Sequence, residues 1–424
     1  RMNTKVKLII LNFLEFAVWG AYLTSMGTYL ASVGMASQIG WFYSVQGLVS
    51  LFMPALMGIV ADRWIEAQRL LSGCHLLSGI FMLAACMYGY QAGDAVQFAP
   101  LFTLYTLSVA FYMPTIALSN SVAYSVLDRA GLDTVKAFPP IRVFGTVGFI
   151  ISMWIVDLAG MQSSSFQYGW SGILGIVMAA YAFTMPRCPR SQGSQKSLVE
   201  ALGLKAFTLF RNYRMALFFI FSMFLGVCLQ ITNGYANPFI TSFGDIPEFQ
   251  DTFGVQHANI LISLSQISET LGILLIPFFL KKFGIKRVML MAMLAWVLRY
   301  LFFAVGNPGG GVIWFVLSMI VYGVAFDFFN ISGSLFVDKE TDMDIRNSAQ
   351  GLFMMMTNGF GATIGTLLAQ MVVNHYVYNL SPDAGPTAVW EGWNICWYIF
   401  AAYSMVVALA FAVLFRYKHV PTAE

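Results

Sequence analysis

Two carboxylates, Glu269 and Asp327, stand in stretches of sequence otherwise too apolar to carry a charge. Even on the lenient insertion scale, a charge at the centre of a bilayer costs at least ~2.5–3.5 kcal/mol. Each therefore needs a partner, a wet cavity or a proton. Glu269 falls in Ser265-Gln266-Ile267-Ser268-Glu269-Thr270, where Gln266 and Glu269, three apart, share one helix face. Asp327 stands among Tyr322, Phe326, Phe328, Phe329 and Asn330, ring faces mixed with hydrogen-bonding groups. Ten residues separate it from Val337, so it lies ~15 Å up a helix, at mid-membrane depth. Gln230 and Asn233 share a face in the same way, before Gly234 and Pro238 disturb their helix. A mid-membrane carboxylate serves by default as a proton carrier or a substrate acceptor. The alternative for all four is interhelical hydrogen bonding that only glues a bundle, at ~0.6 kcal/mol per bond. For Gln230 and Asn233 that alternative is as good as function.

The remaining ionisable residues inside apolar segments are Glu15, Arg142 and Arg299, with His75, Asp157 and His257 nearer segment ends. Arg142 follows Pro139-Pro140, and from depth alone it reads as snorkelling to the surface. Arg299, twelve residues after Arg287, reads as a structural partner within the bundle. Glu15 reads either as a second protonation site or as a buried partner for an arginine.

These residues require a membrane-spanning frame, and the composition supplies one. Of 424 residues 58% are hydrophobic and 10% charged, against about 25% charged in soluble domains. Mean hydropathy is +0.71. A spanning helix needs ~20 apolar residues. Segments of that kind fall at roughly 6–30, 39–61, 69–91, 98–126, 139–158, 166–186, 215–240, 256–280, 287–306, 311–337, 347–374 and 393–415. Lysine and arginine precede segment 1 and follow every even-numbered segment, and the other loops contain none. That alternation supports twelve spans and puts both termini in the cytoplasm. The first apolar segment is too long for a cleavable signal and lacks a small-residue cleavage site. Arg1 precedes Met2 and reads as a processing remnant.

The polar, basic loop 187–214, with Ser191, Gln192, Ser194, Gln195 and Ser197, divides the chain into an N-terminal six-helix bundle, 1–186, and a C-terminal one, 215–424. A weak internal repeat agrees. Pro54 leads into Asp62-Arg63, as Pro277 leads into Lys281, Lys282, Gly284, Lys286 and Arg287. The fold class is thus an all-α membrane protein of two pseudo-symmetric six-helix bundles, the plan of the major facilitator superfamily. Gly58-Ile-Val-Ala-Asp62-Arg63 resembles that superfamily's signature after its second helix. Gly58 would allow close helix packing, and Asp62 would latch the two halves through a helix terminus and an arginine. The alternative is a loop aspartate that merely flanks a span.

Several function classes are excluded or lack support. No Walker-type glycine loop is present, so ATP-driven pumping lacks support. No His/Cys/carboxylate cluster has metal-ligand spacing, and no serine–histidine pairing is legible, so neither an enzyme nor a cofactor is expected. Cys74, Cys86, Cys188, Cys228 and Cys396 show no disulfide spacing and read as free thiols. The basic residues lie in loops, so the net charge of +3 implies no nucleic acid.

Beyond the composition, the chain resembles the nucleoside:H+ symporter family of the major facilitator superfamily over nearly its whole length. The likeness is carried by Phe138-Pro-Pro-Ile-Arg-Val-Phe-Gly-Thr-Val-Gly-Phe149, Leu229-Gln-Ile-Thr-Asn233, Ser265–Thr270, Val321–Gly333 and Met355-Met-Thr-Asn-Gly-Phe-Gly361. The resemblance implies uptake of purine and pyrimidine nucleosides, uridine and adenosine among them, coupled to the inward proton gradient. It implies a monomer in the bacterial cytoplasmic membrane, with nucleosides, protons and the lipid bilayer as its partners. By motif match it places substrate contacts on Arg142, Thr146 and Phe149, and on Gln230, Asn233, Gln266, Glu269, Tyr322, Phe326 and Asp327. Proton coupling falls on Asp327 and Glu269. It raises Arg142 above the snorkelling that depth alone favours. Glu15 departs from the family, where an uncharged amide is expected.

The chemistry agrees. Ribose hydroxyls exchange hydrogen bonds with amides and carboxylates. A flat base covers the ring of Phe149, Tyr322 or Phe326. A symporter for sugars or another small polar solute is the competing reading within the same fold. A membrane sensor that does not transport is a third, disfavoured by the complete polar clusters and the lack of an appended signalling domain.

Overall fold

The computed structural model describes residues 3–189, 197–201, 203–342 and 345–418. The linker residues Ser191, Gln192, Ser194 and Gln195 and the side chain of Asp62 lie outside what is described. Apolar runs bounded by polar turns leave the backbone one way to satisfy itself in lipid, the helix. In chain order the α-helices are α1 Thr4–Gly20, α2 Met26–Ser32, α3 Ile39–Ser50, α4 Met53–Arg63, α5 Ala67–Ala92, α6 Phe98–Arg129, α7 Thr134–Leu158 and α8 Phe166–Phe183. They continue with α9 Leu198–Ala201, α10 Tyr213–Ser242, α11 Phe253–Gln256, α12 Ala258–Val305, α13 Val312–Glu340, α14 Arg346–Met354, α15 Ala362–Val373 and α16 Gly385–Leu414. Among the described residues there is no strand.

The twelve spans are all helical, but not all are single helices. Span 1 is α1 and α2, parted by a turn at 21–25. Span 2 is α3 and α4, with Pro54 opening the second piece. Spans 8 and 9 run together as α12, and Gly284 makes the corner with φ 82° and ψ 173°. Only glycine enters that region without strain. Span 11 is α14 and α15 joined through a π-helical stretch, Met355–Gly361, and a second one, Asn374–Tyr378, follows α15. Such wide turns often mark functional segments.

The chain forms two compact units, Arg1–Ala36 with Val45–Leu202, and Ser37–Ser44 with Gly203–Glu424. In the first, α1 packs on α7 and α8, and α5 on α6 and α8. Leu8, Leu11, Leu71, Val122, Leu127 and Met178 form part of its core. Where the chain leaves α8, Glu66 accepts hydrogen bonds from Gln68 Nε2 (2.7 Å) and Arg187 Nε (2.6 Å). The bond from Gln68, helped by Arg187, holds the Glu66 carboxyl below the usual range despite its burial.

The second unit is built on aromatic rings: Phe239 touches Phe303, Phe315, Trp393 and Trp397 with centroids 5.3–5.9 Å apart. The short Ser37–Ser44 piece joins it through Gln370 and Thr363. Gln370 Oε1 accepts from Gly40 N and from Tyr235 OH, each at 2.5 Å, and Ser44 Oγ donates to the Thr363 carbonyl at 2.9 Å.

Helix contacts in lipid depend on small residues, because lipid tails are as apolar as leucine. A Cβ on Gly148 would lie 2.2 Å from the Phe13 carbonyl oxygen, and one on Gly226 would lie 2.1 Å from that of Thr357. Gly58 is different. Among the described residues nothing lies within 4 Å of a Cβ placed there, so the close packing expected at Gly58 is not found. Gly226→Ala should therefore lower the melting temperature of the detergent-purified protein, at an overpacking cost of about 1–3 kcal/mol. Gly58→Ala should leave it unchanged. Equal melting temperatures for the two variants would contradict this assignment of the helix contacts.

Candidate functional site

Asp327 projects from the middle of α13 and is only 4% exposed. Space for it comes from α12. A Cβ on Gly272 would lie 2.8 Å from Asp327 Oδ2 and 3.1 Å from the Gly323 carbonyl. The two helices are held together at Ser268, whose Oγ accepts from the Gly323 N–H at 3.1 Å and donates to the Ile320 carbonyl. Oδ2 of Asp327 has no hydrogen-bond partner among the described residues. Glu269, half-buried on α12, lies within electrostatic reach of both Asp327 and Tyr322. The two carboxylates thus belong to one neighbourhood of the second unit.

Beside them stands a shelf of rings. Tyr322 and Phe326, one turn apart on α13, stack with centroids 5.7 Å apart and planes 7° from parallel. Trp296 of α12 meets Tyr322 edge-on at 5.9 Å. The shelf is fixed from behind by Arg299, whose guanidinium lies 4.8 Å from the Tyr322 ring centre and 5.1 Å from that of Phe303. Arg299 is 2% exposed and donates to the Ser318 carbonyl (2.9 Å) and to Ser265 Oγ (3.3 Å). It is a structural residue that orients Tyr322.

The amides are arranged in part as expected. On α10, Asn233 Nδ2 donates to Gln230 Oε1 at 3.0 Å, so these two form a unit. Gln266 and Glu269 occupy one face of α12, and α10 packs on α12. A small cavity of about 30 Å³ opens among Leu229, Trp296, Phe326, Asn330 and Asn358 of this unit. Its volume suits about one water, and of the expected site residues it touches Phe326 alone. A larger cleft of about 690 Å³ at the ends of α10, α13 and α16, lined by Arg214, Glu340 and Arg416, touches none of them.

In the first unit, Arg142, Thr146 and Phe149 recur along one face of α7. The Arg142 guanidinium lies 3.9 Å over the ring of Phe16, and Phe149 meets Trp19 edge-on at 6.3 Å. Gly145 permits this, since a Cβ there would come within 2.6 Å of both Arg142 and Phe16. Phe16, Trp19 and Trp296 touch expected site residues and were not singled out from the sequence. Nothing but an aromatic side chain in an apolar segment marked them, and rings of that kind are abundant throughout the chain. No cluster of three or more potential metal ligands occurs among the described residues.

Comparison with known proteins gives the family. A family model described as "Nucleoside H+ symporter" matches residues 2–420. The nucleoside permease NupG of Escherichia coli (strain K12) is 46% identical over 423 residues, covering 99% of this chain and 97% of the relative. The xanthosine permease of the same organism is 46% identical over 425 residues, covering 99% and 98%. A crystal structure of the nucleoside transporter NupG superposes with a TM-score of 0.88 at 45% identity, covering 98% of this chain and all of that one (100%). The chain therefore belongs to the nucleoside H+ symporter family and is a multi-pass membrane transporter of the major facilitator fold, not an enzyme.

Proposed function

We propose that in this proton-coupled nucleoside importer Asp327 is the coupling carboxylate and Glu269 chiefly binds substrate. The observation that carries this division is the contrast in exposure: Asp327 is 4% exposed with an unpartnered oxygen, whereas Glu269 is half-buried and reachable. Two carboxylates in one half-dry neighbourhood hold a single negative charge at less cost than two. A proton taken up there removes a charge that opposes reorientation, so proton and nucleoside together permit alternating access. Gln230, Asn233, Gln266 and Glu269 are the groups for the ribose hydroxyls, and the Tyr322–Phe326 shelf is the ring surface for the base. Arg142, Thr146 and Phe149 are the first unit's contribution to substrate contact.

The halves 1–186 and 215–424, joined by the linker 187–214, act as the two rocking bundles of such a transporter. The lysine and arginine pattern puts both termini and the linker on the cytoplasmic side of the bacterial inner membrane. We read the transporter as a monomer in the lipid bilayer, with uridine and adenosine among its substrates and no nucleic-acid partner. Equal identity to a nucleoside permease and to a xanthosine permease leaves the order of preference to measurement.

Proteoliposomes with an inward proton gradient should accumulate labelled uridine and adenosine, in competition with nucleosides but not with free sugars. Asp327→Asn should lose that accumulation while keeping exchange down a concentration gradient. Undiminished uphill accumulation in this variant would refute the coupling role. Gln266→Ala would remove the protein's side of the proposed hydrogen bond to a ribose hydroxyl, a loss of about 1–3 kcal/mol. Uridine binding by calorimetry should therefore weaken by about one order of magnitude or more, with an unchanged melting curve. Normal binding would make these amides bundle glue. Glu269→Gln keeps a hydrogen-bonding side chain that cannot titrate. It should weaken binding at every pH while the pH dependence persists. Normal binding with no remaining pH dependence would exchange the roles of the two carboxylates.

A further inference from the structure

The first unit holds a titratable pair that none of these roles uses. Glu15 on α1 and His75 on α5 are each 0% exposed, and the Oε2 of one is hydrogen-bonded to the Nε2 of the other. Thr115 on α6 donates to the remaining carboxylate oxygen, Oε1, at 2.6 Å. Tyr112, also on α6, donates to the Glu15 backbone carbonyl at 2.7 Å and sets its ring edge-on to His75 at 5.8 Å. Each carboxylate oxygen thus has a partner within reach, Thr115 sharing its one hydroxyl proton between Oε1 and the Tyr112 carbonyl, while Nδ1 of His75 has no hydrogen-bond partner among the described residues.

That unused nitrogen leaves the pair two ways to hold its protons. Without the extra proton, a neutral imidazole donates through Nε2 and the pair carries a net negative charge where there is no water. With it, the pair is neutral as a whole, but an Nδ1–H is left without an acceptor. Each form has one fault, and both faults depend on how α1 sits against α5 and α6.

The surrounding groups connect the pair to the substrate face of α7. Cys74 from α5 and Tyr112 from α6 lie within electrostatic reach of Glu15. Tyr22, and Arg142 from α7, act in turn on Tyr112. Phe16, the residue after Glu15, carries the Arg142 guanidinium on its ring. Trp19, one turn further, touches Tyr112 at 6.0 Å and Phe149 at 6.3 Å. A nucleoside that pulls on Arg142 or Phe149 therefore pulls on the α1 face that holds Glu15.

We propose that Glu15 and His75 form a second proton-binding site of the transport cycle, loaded and emptied as α1 shifts with substrate at Arg142 and Phe149. This rests on the proton-coupled reading given above. The proton adds to the imidazole lone pair and leaves from it, and no other bond changes.

Protons entering per uridine can be counted in proteoliposomes with an enclosed pH dye and labelled uridine. The wild type should carry about two, and Glu15→Gln, which keeps an acceptor for Thr115, about one. His75→Gln should show the same loss, and a melting curve run beside each variant detects a merely structural effect. A wild-type count of one overturns the proposal without any variant. So does a count of two in both the wild type and Glu15→Gln. A wild type that takes up uridine with no proton movement at all would instead refute proton coupling itself.

Discussion

Hydrocarbon offers a buried polar group no water, and most of this structure follows from that one constraint. Arg299 answers it through one end of its guanidinium: Nη1 donates to a backbone carbonyl and a serine oxygen, and two ring faces lie alongside, while Nε meets no acceptor among the described residues. The result is a fixed post against which Tyr322 and, through it, Phe326 are held. Asp327 answers it only in part, because one carboxylate oxygen meets no donor among the described residues. The same constraint explains the glycines. Polar and aromatic groups can be placed accurately only if the helices that carry them come close, and lipid gives no hydrophobic push to bring them there. Gly272 and Gly323 close the contact of α12 with α13, and Gly145 and Gly148 that of α7 with α1.

Much of this was legible in the sequence, for a simple reason. Hydropathy is a local property, so the apolar segments that form the helices could be read directly. Arg299 as an internal structural partner followed from its depth. Pairing within one helix was also readable, and the Gln230–Asn233 bond is such a case. The role proposed for Arg142 was not, and only the family resemblance drew attention to that residue.

What escaped the sequence depends on partners far apart in the chain. His75 looked like a residue near the end of a span, yet its partner lies 60 positions away. Gly58 carried a motif and meets nothing within 4 Å among the described residues, while Gly226, which carried none, admits no Cβ at all. The turn at 21–25 and the π-helical stretch Met355–Gly361 were hidden because neither contains a proline or a charged residue to mark a break. Composition reports solvent, and it does not report the pitch of a helix or the identity of its neighbour.

The distances that hid the Glu15 pairing also bear on how the protein is made. Span 1 leaves the ribosome with its carboxylate 60 residues ahead of His75 and 100 ahead of Thr115. At synthesis rates of ~5–20 residues per second, the first of those partners arrives roughly 3–12 s later. During that interval a charged Glu15 in lipid would cost at least ~2.5–3.5 kcal/mol. The first span must therefore enter the bilayer with Glu15 protonated, or wait beside the insertion machinery until spans 3 and 4 follow. Its final seating is a late event, although it is synthesised before the spans that hold it.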